Sequence, residues 1–309
     1  MARPFPVLLF LAATLLPAGP ATATAAAFRD CVAGLGERAA AAGVDGDLIA
    51  RVLPSLSPLE RVIALDRSQP EFVQTFPAYL EARVTDTRVD KGRELLQRHG
   101  TFLQTLLDRY GVPPRYLVAF WGLETNYGGY LGKVPTLDSL ATLACDERRS
   151  EFFAGEFVNA LQLVEREDLP VEQLVGSWAG AVGHTQFMPS SYLRYAVDGD
   201  GDGRIDLWQS ERDALASGAN FLRSLGWEPG LRWGRQVALP AGFAYEQAGL
   251  GKAQPLRAWG AAGVTRADGG PLPAVDLEAA LLLPSGHRGP AFLVYDNFRV
   301  VMRWNASQS

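Results

Sequence analysis

The segment Gly111-Val112-Pro113-Pro114-Arg115-Tyr116-Leu117-Val118-Ala119-Phe120-Trp121-Gly122-Leu123-Glu124-Thr125-Asn126-Tyr127-Gly128-Gly129 lies near the middle of the chain. Two prolines open it, where a helix best tolerates proline, and two glycines follow its end. Residues 116–123 carry no charge and no polar face, which predicts a helix buried on most sides. Glu124 then falls in the last turn of a buried helix. Burial disfavours its charged form, and so does the negative end of the helix dipole. A carboxyl group kept protonated near neutral pH is suited to giving a proton to a leaving oxygen. The bland alternative is a helix-terminal glutamate turned out to water.

Outward from this segment the chain reads as mainly α (α+β). Helical periodicity covers 28–42, 46–53 and 88–110, the last with Leu95, Leu96, Phe102, Leu103, Leu106 and Leu107 on one face. Short helices joined by Gly- and Pro-containing turns continue to residue 227. After Trp227 the composition changes. Stretches at 236–239, 279–283 and 291–295 read as strands and 256–261 as a short helix. The expected organisation is a leader at 1–25 and a helical sub-domain at 26–110. A core at 111–227 follows, then a small β-containing sub-domain at 228–296 and a return to the core at 297–309.

The 309 residues carry a net charge of −5 and are 48% hydrophobic, enough for a large core or two to three sub-domains. No dense basic cluster is present, which argues against a nucleic-acid partner. Arg3, an apolar stretch at 7–16 and Ala23-Thr24-Ala25 read as an export signal too short to span a bilayer. The expectation is a periplasmic or secreted protein. Arg29-Asp30 before Cys31 is the wrong context for a lipid anchor. Cys31 and Cys145 could pair in an oxidising compartment, or stay as one free thiol and one buried residue.

A second signal is Asp198-Gly199-Asp200-Gly201-Asp202-Gly203-Arg204-Ile205-Asp206. Carboxylates at positions one, three, five and nine, Arg204 at the position that offers a backbone carbonyl, and glycine at six match an EF-hand loop. Gln209 stands where a bidentate glutamate is expected, and Asp213 is the candidate to replace it. The expected ion is structural Ca²⁺ or Na⁺, held weakly, at roughly 0.1–1 mM for calcium.

With these residues in view, the sequence resembles the lytic murein transglycosylase B family. Further matching stretches are Asp66-Arg67-Ser68-Gln69-Pro70-Glu71-Phe72, Leu137-Asp138-Ser139-Leu140-Ala141-Thr142-Leu143, Arg148-Arg149, Phe152-Phe153, Gly176-Ser177-Trp178-Ala179-Gly180-Ala181 and Gly183-His184-Thr185-Gln186-Phe187-Met188-Pro189-Ser190-Ser191-Tyr192. The resemblance spans about 28–305. It implies a lysozyme-like helical core, a helical N-terminal sub-domain and a small β sub-domain. It implies Glu124 as the single acid and base cleaving the bond between N-acetylmuramic acid and N-acetylglucosamine, with a 1,6-anhydro product and no cofactor for the chemistry. It places cleft residues at Ser177, Gln186 and Asn305, with Arg148, Arg149 and Tyr79 beside them, and its cation loop agrees with ion ligands at Asp198, Asp200, Asp202, Arg204, Asp206 and Asp213. Tyr127, just past Glu124, either lines the cleft or packs the core. His184 receives no catalytic role.

The expected partners are peptidoglycan glycan strands, with cell-wall synthesis proteins as candidates, for a monomeric enzyme. Two departures stand out. A tyrosine often found in the helix after the cation loop corresponds here to Phe221, and the family continues past Asn305-Ala306-Ser307 into a closing helix. Two rival functions share the same features: a hydrolysing muramidase, which needs a second carboxylate near Glu124, and a catalytically silent, calcium-stabilised wall-binding protein.

Overall fold

The computed structural model describes residues 20–68 and 75–304. The leader up to residue 19, Gln69 to Phe72 of one matching stretch, and Asn305 lie outside the described residues. In chain order the first elements are α1 (Pro20–Ala41), α2 (Gly46–Val52), α3 (Glu60–Arg67), α4 (Phe76–Arg83), α5 (Asp86–Arg98), α6 (Gly100–Tyr110) and α7 (Pro114–Thr125). Then come β1 (Val134–Pro135), α8 (Thr136–Ala144), α9 (Ser150–Arg166), β2 (Val175–Gly176), α10 (Pro189–Tyr195) and α11 (Glu211–Ser224). The last are β3 (Gly234–Ala238), β4 (Gln254–Pro255), α12 (Leu256–Ala261), β5 (Thr265–Arg266), β6 (Glu278–Leu282), β7 (Ala291–Val294) and α13 (Asp296–Trp304).

The helices build two apolar clusters. One joins Leu35, Leu48, Leu140, Phe153, Phe157, Leu161 and Tyr192, from α1, α2, α8, α9 and α10. The other joins Leu95, Leu103, Leu106, Leu117, Trp121, Leu215 and Val300, from α5, α6, α7, α11 and α13. Trp304 and Leu225 pack against both. The antiparallel sheet has strand order β4-β6-β7-β3-β5 and a core of its own around Trp259, Leu281 and Leu293.

Two local readings change. The helix expected over 88–110 breaks at His99, which caps α5 and starts α6 at φ −96°, ψ 9°. Apolar periodicity continues through the break, so it is invisible in the pattern. The helix carrying Glu124 stops at Asn126, in the left-handed region at φ 52°, before the glycines are reached. Asparagine tolerates that conformation better than most residues.

The structure joins Cys31 to Cys145, a pairing the sequence left open. The bond ties α1 to the C-cap of α8 and closes a loop with a sequence separation of 114 residues. Loop-closure entropy of the unfolded chain then favours the native state. Replacing both cysteines by alanine is expected to reduce unfolding free energy by about 2–5 kcal/mol. Dithiothreitol should lower the melting midpoint of the parent and leave the variant unchanged. Equal midpoints for parent and variant would contradict this.

Candidate active site

Helix α7 is held on several sides at once. Leu117, Val118, Trp121, Gly122 and Thr125 are buried, against α5, α6 and α11. Trp121 donates its indole N–H to His184 Nδ1 at 2.8 Å. Thr125 Oγ1 donates to the His184 carbonyl at 3.2 Å and accepts from Gly128 N at 3.0 Å. His184 is therefore a neutral, buried acceptor that anchors the helix end, and burial pushes its pKa down. Tyr127 turns back onto the helix. Its hydroxyl donates to the Arg88 carbonyl at 2.8 Å, and a Cβ on Gly122 would stand 2.6 Å from its ring. Glycine at 122 is thus required by the close approach of that ring.

One face of α7 differs from the expectation of burial on most sides. Ala119 and Leu123 are exposed, Leu123 by 45%. They stand four residues apart, on one side of the helix. The segment lacks charge because part of it presents an apolar wall to solvent beside the acid, rather than because every side meets the core.

Glu124 itself is half-buried, with its carboxyl group largely shielded from water. Its Oε1 accepts from the Trp304 indole N–H at 2.9 Å. Burial pushes its pKa up to about 7, with the Trp304 donor acting in the opposite, smaller sense. Among the described residues no neighbouring carboxylate acts on this group. Glu156 is a second buried carboxylate, but its oxygens accept from Ser190 N at 2.9 Å and Ser190 Oγ at 2.6 Å. It caps the start of α10, where Pro189 has no N–H to offer.

Ser177 and Gln186 lie on a loop pinned by bridges of Val182 to Gly176 and Phe187. Ser177 Oγ accepts from Ala181 N at 3.0 Å, which leaves its proton to donate. Gln186 has φ 51° and gives its amide N–H groups to the carbonyls of Gly183 at 2.9 Å and Leu131 at 3.2 Å. Among the described residues its side-chain oxygen has no donor, so it is an acceptor held in place.

Arg148, Arg149 and Tyr127, expected beside the cleft, also make structural contacts. Arg148 and Arg149 both pair with Asp66, which is only 3% exposed. Arg148 also donates to the Asp66 carbonyl at 2.6 Å. The two arginines brace α3 against the turn between α8 and α9. A buried carboxylate with one partner removed would be left uncompensated. Tyr127 is a packing residue with its hydroxyl already bonded. Tyr79 lies on the exposed helix α4, 38% accessible, with the Arg83 guanidinium 5.4 Å over its ring.

The acidic loop gathers fewer ligands than expected. Carboxylate oxygens of Asp198, Asp200 and Asp202 lie within 4.8 Å of one another. Asp198 also accepts from Gly201 N and Gly203 N, so the turn is already folded. Asp206 and Asp213 do not join that group. Asp206 Oδ1 accepts from Trp208 N and Gln209 N, both at 2.9 Å. Asp213 is buried, and its oxygens accept from Gly199 N at 2.9 Å and Asp206 N at 2.7 Å. It braces the loop from behind.

A family model for a transglycosylase SLT domain matches residues 27–309. The chain belongs to that family. It is 36% identical over 236 residues to the membrane-bound lytic murein transglycosylase B of Escherichia coli, covering 69% of this chain. It spans 65% of the length of that relative. Among solved structures, SltB3 of Pseudomonas aeruginosa in complex with NAG-NAM-pentapeptide is 44% identical, with a TM-score of 0.85 over 90% of this chain and 75% of the other. SltB3 was also solved with NAG-anhNAM-pentapeptide. Escherichia coli Slt35 in complex with calcium is 30% identical, with a TM-score of 0.73 over 90% and 87% of the two chains. The family carries the lysozyme-like, mainly α fold that the sequence implied.

Sequence reasoning reached Glu124 but missed Trp304, Asp66 and the Trp121–His184 bond. Each depends on a partner far along the chain, and no local pattern announces it. A raised carboxyl pKa also leaves a trace in stability. Below the unfolded value near 4.5 the group is protonated in both states, and its contribution is fully present. That contribution is lost as pH rises through about 7. Relative to about pH 4, the parent should lose roughly 2–4 kcal/mol more than Glu124→Gln by about pH 8. Denaturant titrations at both pH values measure this, and parallel curves for the two proteins would contradict it.

Proposed function

We propose that this protein is a periplasmic lytic transglycosylase that cleaves the β-1,4 bond between N-acetylmuramic acid and N-acetylglucosamine in peptidoglycan. The observation that carries the reading is a single buried acid. Glu124 holds its proton to about pH 7, and among the described residues no second carboxylate influences it. Most glycosidases that use water or a protein nucleophile have a paired carboxylate. One acid without a partner suits a reaction in which the substrate supplies both the stabiliser and the nucleophile.

In the proposed sequence Glu124 protonates the glycosidic oxygen, and the leaving sugar departs as the alcohol. The substrate's N-acetyl group stabilises the cationic anomeric carbon. The Glu124 carboxylate then takes the proton of the muramic 6-hydroxyl, whose oxygen closes on the anomeric carbon. A 1,6-anhydro end forms and Glu124 returns to its acid form. The exposed Ala119–Leu123 face would lie under a sugar ring. The free proton of Ser177 and the fixed oxygen of Gln186 would meet N-acetyl or amide groups. Asn305 and Tyr79 are proposed as further cleft contacts. Arg148, whose side chain is 45% exposed, would face a lactyl or peptide carboxylate while Arg149 stays with Asp66.

No helix among the described residues is long and apolar enough to cross a membrane. The periplasmic assignment rests on the leader-like N-terminus, on the Cys31–Cys145 bond and on the wall-acting relatives. Asp198, Asp200 and Asp202, with the carbonyl of Arg204, fit a calcium ion. Three carboxylates this close repel without a cation, and oxygen donors suit a hard ion. The ion would be structural, since the loop leads into α11, which packs on α7.

The decisive experiment is mass spectrometry of purified peptidoglycan digested with the parent and with Glu124→Gln. Anhydromuropeptides from the parent, falling at least 1,000-fold in the variant on the scale of a lost essential acid, are expected. Products one water heavier would make it a hydrolase, and none from either would make it a silent binder. Activity of the parent should decline as pH rises above about 7, because the acid form is then lost. For the loop, about 10 mM calcium after chelation should raise the melting midpoint by about 2–6 °C, and Asp200→Asn should abolish the gain. An equal gain in that variant would place the ion elsewhere.

A further inference from the structure

Trp304 ends α13, 180 positions along the chain from Glu124, yet its indole N–H lies 2.9 Å from Glu124 Oε1. The ring has little freedom to leave. It stacks on Phe120 with centroids 4.2 Å apart and planes at 18°. Phe221 and Phe187 meet it at 5.3 and 5.8 Å. A Cβ on Gly218 would stand 3.2 Å from its ring, closer than ordinary contact, so glycine there makes room for the indole. Phe120 and Glu124 are one helical turn apart on α7, so the stack and the hydrogen bond fix the same helix from one side chain.

An indole nitrogen only donates. Its hydrogen meets an oxygen lone pair, and in a protonated carboxyl group the carbonyl oxygen is the stronger acceptor of the two. We propose that Trp304 is a positioning residue for the acid: by holding Oε1 as the carbonyl oxygen it confines the transferable proton to Oε2. This deepens the lytic-transglycosylase reading and rests on it. The same contact acts in both halves of the reaction. When Glu124 gives up its proton, the neutral N–H···O bond becomes one to a carboxylate and strengthens. When the carboxylate takes the hydroxyl proton, Oε2 is again the oxygen left open to receive it. Among the described residues Trp304 is the sole hydrogen-bond donor to this carboxylate.

Trp304→Phe keeps a stacking ring and removes the donor. Its kcat on peptidoglycan should fall about 10- to 100-fold with KM within about twofold, as expected for a charge-assisted bond strengthened in the transition state. The alkaline limb of its pH profile should move up, because the carboxylate has lost its donor. Parent kcat and an unshifted limb in a folded Trp304→Phe would overturn the proposal. A substrate-free measurement covers a variant that fails to fold. In ¹⁵N-edited spectra the Trp304 indole N–H, among the seven tryptophans, should shift with a midpoint near pH 7 in the parent and stay flat in Glu124→Gln. An indole signal that ignores Glu124 would refute the contact itself. A titrating indole in a parent that yields no glycan products would refute the transglycosylase reading while leaving the contact intact.

Discussion

A carboxyl group at the end of a packed helix is costly to ionise, and the helical body is arranged so that one stays there. The cost is set by what surrounds Glu124: apolar atoms, one indole N–H and, among the described residues, no compensating cation. A group in such a place would escape to water if its helix could slide or rotate. The contacts on α7 prevent both. Tyr127 hooks its C-terminal end to α5 through the Arg88 carbonyl. Trp121 and Thr125 bind it to the His184 loop. Phe120 meets Trp304 on a third side. Arg88 adds a fourth restraint, since its guanidinium reaches Asn126, the residue that ends the helix.

How much of this could be read from the sequence follows from the range of each interaction. The α7 segment and its acid were legible because prolines, apolar run and end signal are contiguous. The Asp198 loop was legible for the same reason. Three of the five sheet strands, β3, β6 and β7, and the helix α12 fell where expected, while the two-residue strands β4 and β5 are too short to leave a pattern. The burial of α7 was over-read, because an apolar residue facing a cleft and one facing a core look alike in a sequence. Arginines 148 and 149 were legible as a charged pair, but nothing local shows that they also brace the buried Asp66, more than 80 positions earlier. Asp213 looked like a spare ligand because spacing cannot say whether backbone N–H groups already occupy its oxygens.

The Cys31–Cys145 bond shows the same limit from another side. Two cysteines in an exported chain permit a pair without requiring it, and only the approach of α1 to the end of α8 decides. His99 is a local case. Its break between α5 and α6 preserves the apolar stripe, so periodicity passes straight through a change of helix direction.

The sheet between β3 and β7 raises a question of design: the chain leaves the helical body after Trp227 and must return with Trp304 at the right place. Asn297 answers it. Its side chain is fully buried and makes three hydrogen bonds, accepting from Glu228 N at 2.8 Å and donating to the carbonyls of Glu228 and Leu231. Exit and re-entry of the inserted segment are thereby clamped to each other within a single residue's reach. The clamp fixes where α13 starts relative to the end of the helical body. From there nine helical residues carry the chain to Trp304. Since Trp304 packs against both helical clusters at once, the geometry of the acid depends on how the two clusters meet, and not on α7 alone.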